Sequence, residues 1–281
     1  LRIGTEKRSS ISYRTSRITG QLNFDLRGGL DSKVAYRFYV GSYGRTTAIP
    51  SVSDIDLLYE LPWALWEKYN SYSGNGQSAL LGLVKASLQK TYSSSDIARD
   101  GQVVVIRFDD GIKFEVLPAF LNVAGGYNFA DTNGGGSWKS CKPKQEMDAF
   151  ATRDSACNKN LAHLGRMARA WRDNSNVPMG GMLIDTLAYQ FIADWDWRDK
   201  SFVYYDYMTR DFFKFVASQN TSQNHWLAPG SGSFVYRKGS FEYKARQAEL
   251  RALEAIEFQN KSMDWSAKQK YREIYGTSFP A

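Results

Sequence analysis

Asp54 and Asp56, in the string S-D-I-D-L, are the residues whose types and spacing most plainly suit chemistry. In a strand, side chains alternate faces, so the two carboxylates project from one side, about 6.6 Å apart at ~3.3 Å per residue. Like charges repel by on the order of 4 kcal/mol at ~4 Å in an effective dielectric near 20, so such a pair calls for a cation between its members. Two divalent ions spaced about 3.5–4 Å apart, as in two-metal sites, suit that platform. Upstream, Gly41-Ser42 interrupts a β-prone run at residues 38–40. Glycine lets the backbone approach a phosphate, and serine offers a hydroxyl and backbone N–H groups to it. The order G-S, spacer, D-x-D points to nucleotidyl transfer. The plain alternative is a serine turn and two acids on a solvent-facing strand edge.

The elements around these residues read as follows. Mixed apolar and charged positions over 9–26 predict a helix stopped by Gly28-Gly29. Residues 38–40 and 55–59 predict strands. Leu80, Leu81, Val84, Leu88 and Tyr92 make a helical face suited to packing behind a sheet. Residues 103–108 and 112–120 predict a hairpin turned by Asp109-Asp110-Gly111. On its outgoing strand Glu115 is an acid within an otherwise apolar stretch, F-E-V-L-P. A surface glutamate on an edge strand beside Lys113 is the competing explanation.

The string G-S-Y-G-R-T-T followed by S-D-I-D-L, with F-E-V-L-P, resembles the polymerase-β-like nucleotidyltransferases. Within them it is similar to the cGAS/DncV-like enzymes (CD-NTases, SMODS-type) of bacterial anti-phage signalling. The resemblance implies an α+β, bilobal fold. A nucleotidyltransferase core sheet with an N-terminal spine helix would occupy residues 1–125, and a mostly helical second lobe 126–281, with the triphosphate in the cleft. It implies Asp54, Asp56 and Glu115 as catalytic acids holding two Mg2+ ions, for which Mn2+ could substitute. Glutamate stands where the family has aspartate, which adds a methylene and keeps the charge. Gly41, Ser42, Arg45 and Thr47 would bind the nucleotide. So would Arg169, two before Trp171, where the family places a basic residue that reaches the triphosphate; a solvated basic helix face is the alternative. Tyr189 offers a ring for the donor base, with core packing the plainer account. Trp138, Pro143 and Glu146 resemble the family's tryptophan-then-proline segment.

The implied activity is joining NTPs into a cyclic di- or oligonucleotide second messenger for anti-phage (CBASS) signalling, in a cytoplasmic enzyme. Nucleotidyl transfer to RNA or a small acceptor, or an inactive nucleotide- or RNA-binding relative, are the alternatives. The implied partners are nucleoside triphosphates and an operon-encoded regulatory or C-terminal-conjugating protein, with nucleic acid not required. Ala281 is compatible with such conjugation.

In the rest of the chain, the glycine-rich stretch 124–138 reads as a flexible loop at the lobe boundary, without P-loop order. Helices are predicted over 158–174, after Gly180-Gly181, and along Ala245, Ala248, Ala252 and Ala255. The tail from Gly276 reads as unstructured. Composition agrees with an ordered globular protein: 43% hydrophobic and 15% aromatic residues. No apolar run approaches the ~20 residues of a membrane span, so a soluble protein is expected. Cys141 and Cys157 and the two histidines show no metal-binding spacing, and reduced thiols are expected. A net charge of +7 suits polyanions, nucleotides or nucleic acid alike.

Overall fold

The computed structural model describes residues 1–280 and divides into two compact units, one of Ile3–Gly44 and Pro50–Lys144, the other of Leu1–Arg2, Arg45–Ile49 and the chain from Gln145 on. The first unit runs α1 (Thr5–Leu26), β1 (Arg37–Tyr39), α2 (Gly41–Gly44), β2 (Asp54–Glu60), α3 (Trp63–Asn70), α4 (Gly76–Thr91), β3 (Asp96–Asp100), β4 (Val103–Arg107), β5 (Lys113–Leu121), β6 (Tyr127–Asp131) and β7 (Ser137–Cys141). Its seven-stranded sheet has the order β1-β2-β5-β4-β3, with β6 joined to β5 and β7 to β6. Strands β2 and β5 are parallel, and every other pairing in this sheet is antiparallel.

The strand alternation sorts the side chains. Ile55, Leu57, Phe114 and Val116 are fully buried on one face, under Ile11, Ile18 and Leu22 of α1 and Leu80, Leu81, Val84 and Leu88 of α4. Each such side chain contributes roughly 1.5–3 kcal/mol of burial free energy. Helix α1 lacks a clean apolar stripe because its buried face also carries Thr15, Thr19 and Asn23. Their polar groups are satisfied: the threonine hydroxyls donate to the carbonyls of Ile11 and Thr15, and Asn23 accepts from the Tyr59 hydroxyl. Helix α4 starts where the Asn75 side chain accepts from the Ser78 N–H at 2.8 Å, a cap worth about 1 kcal/mol. The β4–β5 turn is closed by Gly111 at φ +80°. Asp110 is a turn residue there, accepting from the Ile112 N–H and pairing with Arg14.

Two expectations are corrected in this unit. Strands β6 and β7 occupy much of the stretch read as a loop, because the three glycines 134–136 only turn the chain between two short strands. The unit therefore runs to Lys144 rather than ending near residue 125, while Arg45–Ile49 counts with the other unit.

The second unit is mostly helical: α5 (Pro143–Ala156), α6 (Asn160–Asn174), α7 (Gly181–Asp194), α8 (Tyr205–Ala217), a small hairpin β8 (His225–Leu227) and β9 (Phe234–Tyr236), α9 (Glu242–Asn260) and α10 (Asp264–Tyr275). Asn158 and Lys159 adopt left-handed φ values of 49° and 64°, which separates α5 from α6, and Asp154 accepts from the Ala162 N–H to cap the new helix. Trp171, Leu187, Phe212 and Phe213 form its core. Ala245, Ala248, Ala252 and Ala255 are fully buried, the small-residue face expected of α9. The tail is more ordered than its sequence suggests. Gly276–Ser278 form a 3-10 turn, and the Phe279 ring stacks on Tyr271 and Tyr275; Ala281 lies outside the described residues. Among the described residues neither cysteine forms a disulfide, and no helix is long and apolar enough to cross a membrane.

Candidate active site

Strand β2 alternates half-buried and buried residues from Asp54 to Leu57, so Asp54 and Asp56 leave the sheet on the face opposite Ile55 and Leu57. The parallel register pairs Asp56 with Glu115 and Asp54 with Lys113. In-register neighbours on adjacent strands share a face about 4.8 Å apart. Asp54, Asp56 and Glu115 thus occupy one face of the two central strands. Strand β5 is bonded to β2 on one side and β4 on the other, so Glu115 is not an edge-strand surface residue. Farther along, the same face carries Leu58, Ala119, Tyr127 and Phe129, which form a small apolar cluster. The acids are the polar end of that face.

Lys113 supplies the cation that the repulsion argument calls for. Its ammonium lies 2.8 Å from Glu115 Oε1 and 3.4 Å from Asp54 Oδ1. The hydrogen bond that Lys113 donates to Glu115 and the two carboxylate charges outweigh partial burial and raise the Lys113 pKa above its ordinary value. Among the described residues no three His, Cys, Asp or Glu side chains already close around one point as a metal cage. The donor set nonetheless fits a hard divalent cation: oxygen-only carboxylates on one face, with an ammonium standing in for positive charge between two of them. Replacing Lys113 with methionine removes that internal competitor. We expect Lys113→Met to bind Mn2+ several-fold more tightly by titration calorimetry, and an unchanged or weaker affinity contradicts the stand-in role.

Gly41 explains how a turn comes so near the acids. Its φ is +60°, and a Cβ there would fall 1.8 Å from Asp56 Oδ2. The Val40 N–H donates to the Asp56 carbonyl at 2.9 Å and the Gly44 N–H to the Val40 carbonyl at 3.0 Å, fixing the turn against β2. Ser42 follows in the short helix α2. Gly41→Ala should cost roughly 1–2 kcal/mol of stability through its backbone conformation. It should cost about 10²-fold in turnover, because the methyl displaces the Asp56 carboxylate. Parallel unfolding and activity assays check both, and full turnover contradicts the placement.

The remaining predicted nucleotide contacts lie in the helical unit, and three of them, Arg45, Thr47 and Arg169, gather on Asp185. Asp185 of α7 is fully buried. Arg169 donates to both its oxygens, at 2.6 and 2.8 Å, and Arg45 Nε donates at 2.8 Å. The Thr47 hydroxyl lies 3.3 Å from Asp185 Oδ2. Burial alone would raise the Asp185 carboxyl, but the two guanidiniums overcome it and hold the pKa below the ordinary range. Arg169 spends its terminal nitrogens inside this cluster, also donating to the Gly165 and Gly181 carbonyls, so it is neither a free phosphate ligand nor a solvated helix face. Gly165 permits the packing: a Cβ there would meet Thr47 Cγ2 at 2.8 Å. The signal for Asp185 was present, an acid in the apolar run M-L-I-D-T-L-A, the same anomaly that singled out Glu115. Tyr189 joins neither group; its ring lies 3.5 Å from the Arg153 guanidinium, and its carbonyl accepts from the same arginine.

A family model described as the Second Messenger Oligonucleotide or Dinucleotide Synthetase domain (SMODS) matches residues 1–154. No curated protein sequence matches significantly. Among solved structures, the fold is similar to CdnC of E. coli MS115-1, in a CdnC:HORMA-deltaN complex, at TM-score 0.69 and 15% identity over 100% of this chain and 94% of that one. It is similar to the Vibrio cholerae DncV cyclic AMP-GMP synthase at TM-score 0.65 and 17% identity over 87% and 69% of the chains. It is similar to the CdnE cyclic dinucleotide synthase of Elizabethkingia meningoseptica at TM-score 0.58 and 13% identity over 87% and 91%.

Proposed function

Because the chain belongs to the Second Messenger Oligonucleotide or Dinucleotide Synthetase family, and so to the cGAS/DncV-like nucleotidyltransferases, we propose that it joins nucleoside triphosphates into a cyclic di- or oligonucleotide messenger on its acidic sheet face. The observation that carries the site assignment is the register of the two parallel central strands, which sets Glu115 beside Asp56 on the face that Asp54 shares. In this reading Asp54, Asp56 and Glu115 hold two Mg2+ ions. When bound, such ions lower the pKa of an attacking ribose hydroxyl and neutralise charge on the departing pyrophosphate.

The chain's own residues then have separable tasks. Asp56, in the middle of the acid row, is oriented by the close approach of Gly41. Gly41 and Ser42 present backbone and hydroxyl to the triphosphate. Lys113 holds Asp54 and Glu115 until metal enters. Arg45, Thr47 and Arg169 serve as positioning residues, because Asp185 ties the segment after the Gly-Ser turn to α6 and α7. The messenger would act in anti-phage signalling. The HORMA partner in the CdnC structure motivates a regulatory protein partner here.

Incubation with α-labelled NTPs and Mg2+, with and without added RNA, tests the reading. Phosphatase-resistant label formed without RNA supports acceptor-free cyclisation. Label that appears only when RNA is added overturns it in favour of RNA tailing.

A further inference from the structure

The helical unit contains a cavity of about 710 Å³ that the nucleotidyl-transfer reading does not use. Its walls are mainly apolar and aromatic, including Phe202 beside α8 and Tyr271 and Phe279 at the chain's end. At one side stand Arg166, Arg2 and His163. Arg166 is 91% removed from solvent by its 9% exposure, yet among the described residues neither Arg166 nor Arg2 forms an ion pair with a carboxylate. The nearest acid in α5, Asp154, is engaged with the Ala162 N–H and Lys159. Arg166 Nη1 donates to the Thr46 carbonyl at 2.6 Å, its one hydrogen bond among the described residues.

A buried guanidinium without a counter-ion is costly, and a second guanidinium beside it adds repulsion. Burial, then the charge of Arg2, pull the Arg166 pKa down. Burial and the charges of Arg166 and Arg2 depress the His163 pKa. Its ring is fixed by neighbours: Arg2 donates toward Nε2, Nδ1 meets the Tyr205 hydroxyl, and that hydroxyl donates to Asn160 Oδ1. The site is therefore assembled, aromatic and short of one negative charge. Asp206 also lines the cavity, and its carboxylate disfavours a polyanion.

We propose that this cavity binds a small molecule with a single anionic group, carboxylate or phosphate monoester, on an aromatic body, the anion meeting Arg166 and Arg2 and the body packing on Phe202, Tyr271 and Phe279. The volume lies within the ~300–1,000 Å³ of small-molecule sites, and the aromatic walls suit a flat ring. Such a ligand would sit one hydrogen bond from Thr46, in the segment that Asp185 anchors through Arg45 and Thr47.

The test uses the full chain and three probes, 2-naphthoate, 2-naphthyl phosphate and the neutral 2-naphthalenemethanol, titrated by calorimetry. Both anions are expected to bind once per chain, at least ~10-fold more tightly than the alcohol, as a charge-assisted hydrogen bond gives. The tighter of the two anions identifies the headgroup. Arg166→Met should bring the anions to the affinity of the alcohol. Arg2→Met, at an exposed residue, should weaken the anions at least ~3-fold without affecting the alcohol, and it covers the case in which the buried variant fails to fold. Excess ATP should leave naphthoate bound. Equal affinity for anion and alcohol, insensitivity to the arginine variants, or displacement by ATP overturns the proposal. None of these outcomes bears on the acidic sheet face.

Discussion

Asp56→Asn is expected to lower product formation from NTPs by at least ~10³-fold and to leave the fold intact. The side chain stands between Gly41, in register with Glu115, and one alternation from Asp54. A metal ligand at that position supplies several kcal/mol of charge stabilisation, and each 1.36 kcal/mol is tenfold in rate. Asparagine keeps the shape and the backbone bond from the Val40 N–H to the residue 56 carbonyl. Removing one of three like charges on a half-buried face also relieves repulsion, so the unfolding midpoint should stay level or rise. Turnover and chemical denaturation measured on one preparation check both parts. Undiminished turnover refutes the assignment of Asp56, and a collapsed midpoint assigns it a structural role instead.

Asp185→Ala should have the opposite profile, with a stability loss of roughly 3–5 kcal/mol, because it leaves the guanidiniums of Arg45 and Arg169 buried without their counter-ion. Glu146 offsets the loss only in part, since its Oε2 stands 3.9 Å from Arg45 while its Oε1 accepts from the Ser231 hydroxyl. Urea unfolding monitored through the helical unit's tryptophans reads the loss. Asp185→Asn, which keeps a single acceptor oxygen in place of two, should lose less. An unchanged midpoint in Asp185→Ala contradicts the cluster as the anchor of the Arg45–Ile49 segment.

The contrast between these sites shows what the chain declares in its order of residues. The acidic face was legible because it is written in period-two patterns: D-I-D-L-L puts its acids opposite two fully buried apolar residues, and F-E-V-L-P does the same. Alternation is a local property, and it survives without knowledge of which strands pair. The ammonium bridge from Lys113 to Asp54 was not legible, because it depends on a register between strands far apart in the chain. Arg169 illustrates the same limit. Its spacing before Trp171 resembled a phosphate contact, but burial against Asp185 commits it to the helical core. Strands β6 and β7 were hidden by glycines that mark a turn between strands rather than a linker. Helix α5 carries a polar sequence whose stability comes from tertiary packing instead of a clear apolar stripe, whereas α10 buries Ala267, Tyr271, Ile274 and Tyr275 along one face. The order of the tail is not legible in its sequence because it rests on a 3-10 turn and on two ring contacts, Phe279 with Tyr271 and with Tyr275.

Anomalous scattering from crystals of the wild-type chain soaked with Mn2+ and a nonhydrolysable NTP examines the acidic face most directly. The expected map has its manganese peaks within ligand distance of the carboxylates of Asp54, Asp56 and Glu115, with the Lys113 ammonium displaced from between them. Peaks that avoid these three side chains, or that persist unchanged in crystals of Asp56→Asn, would contradict the account.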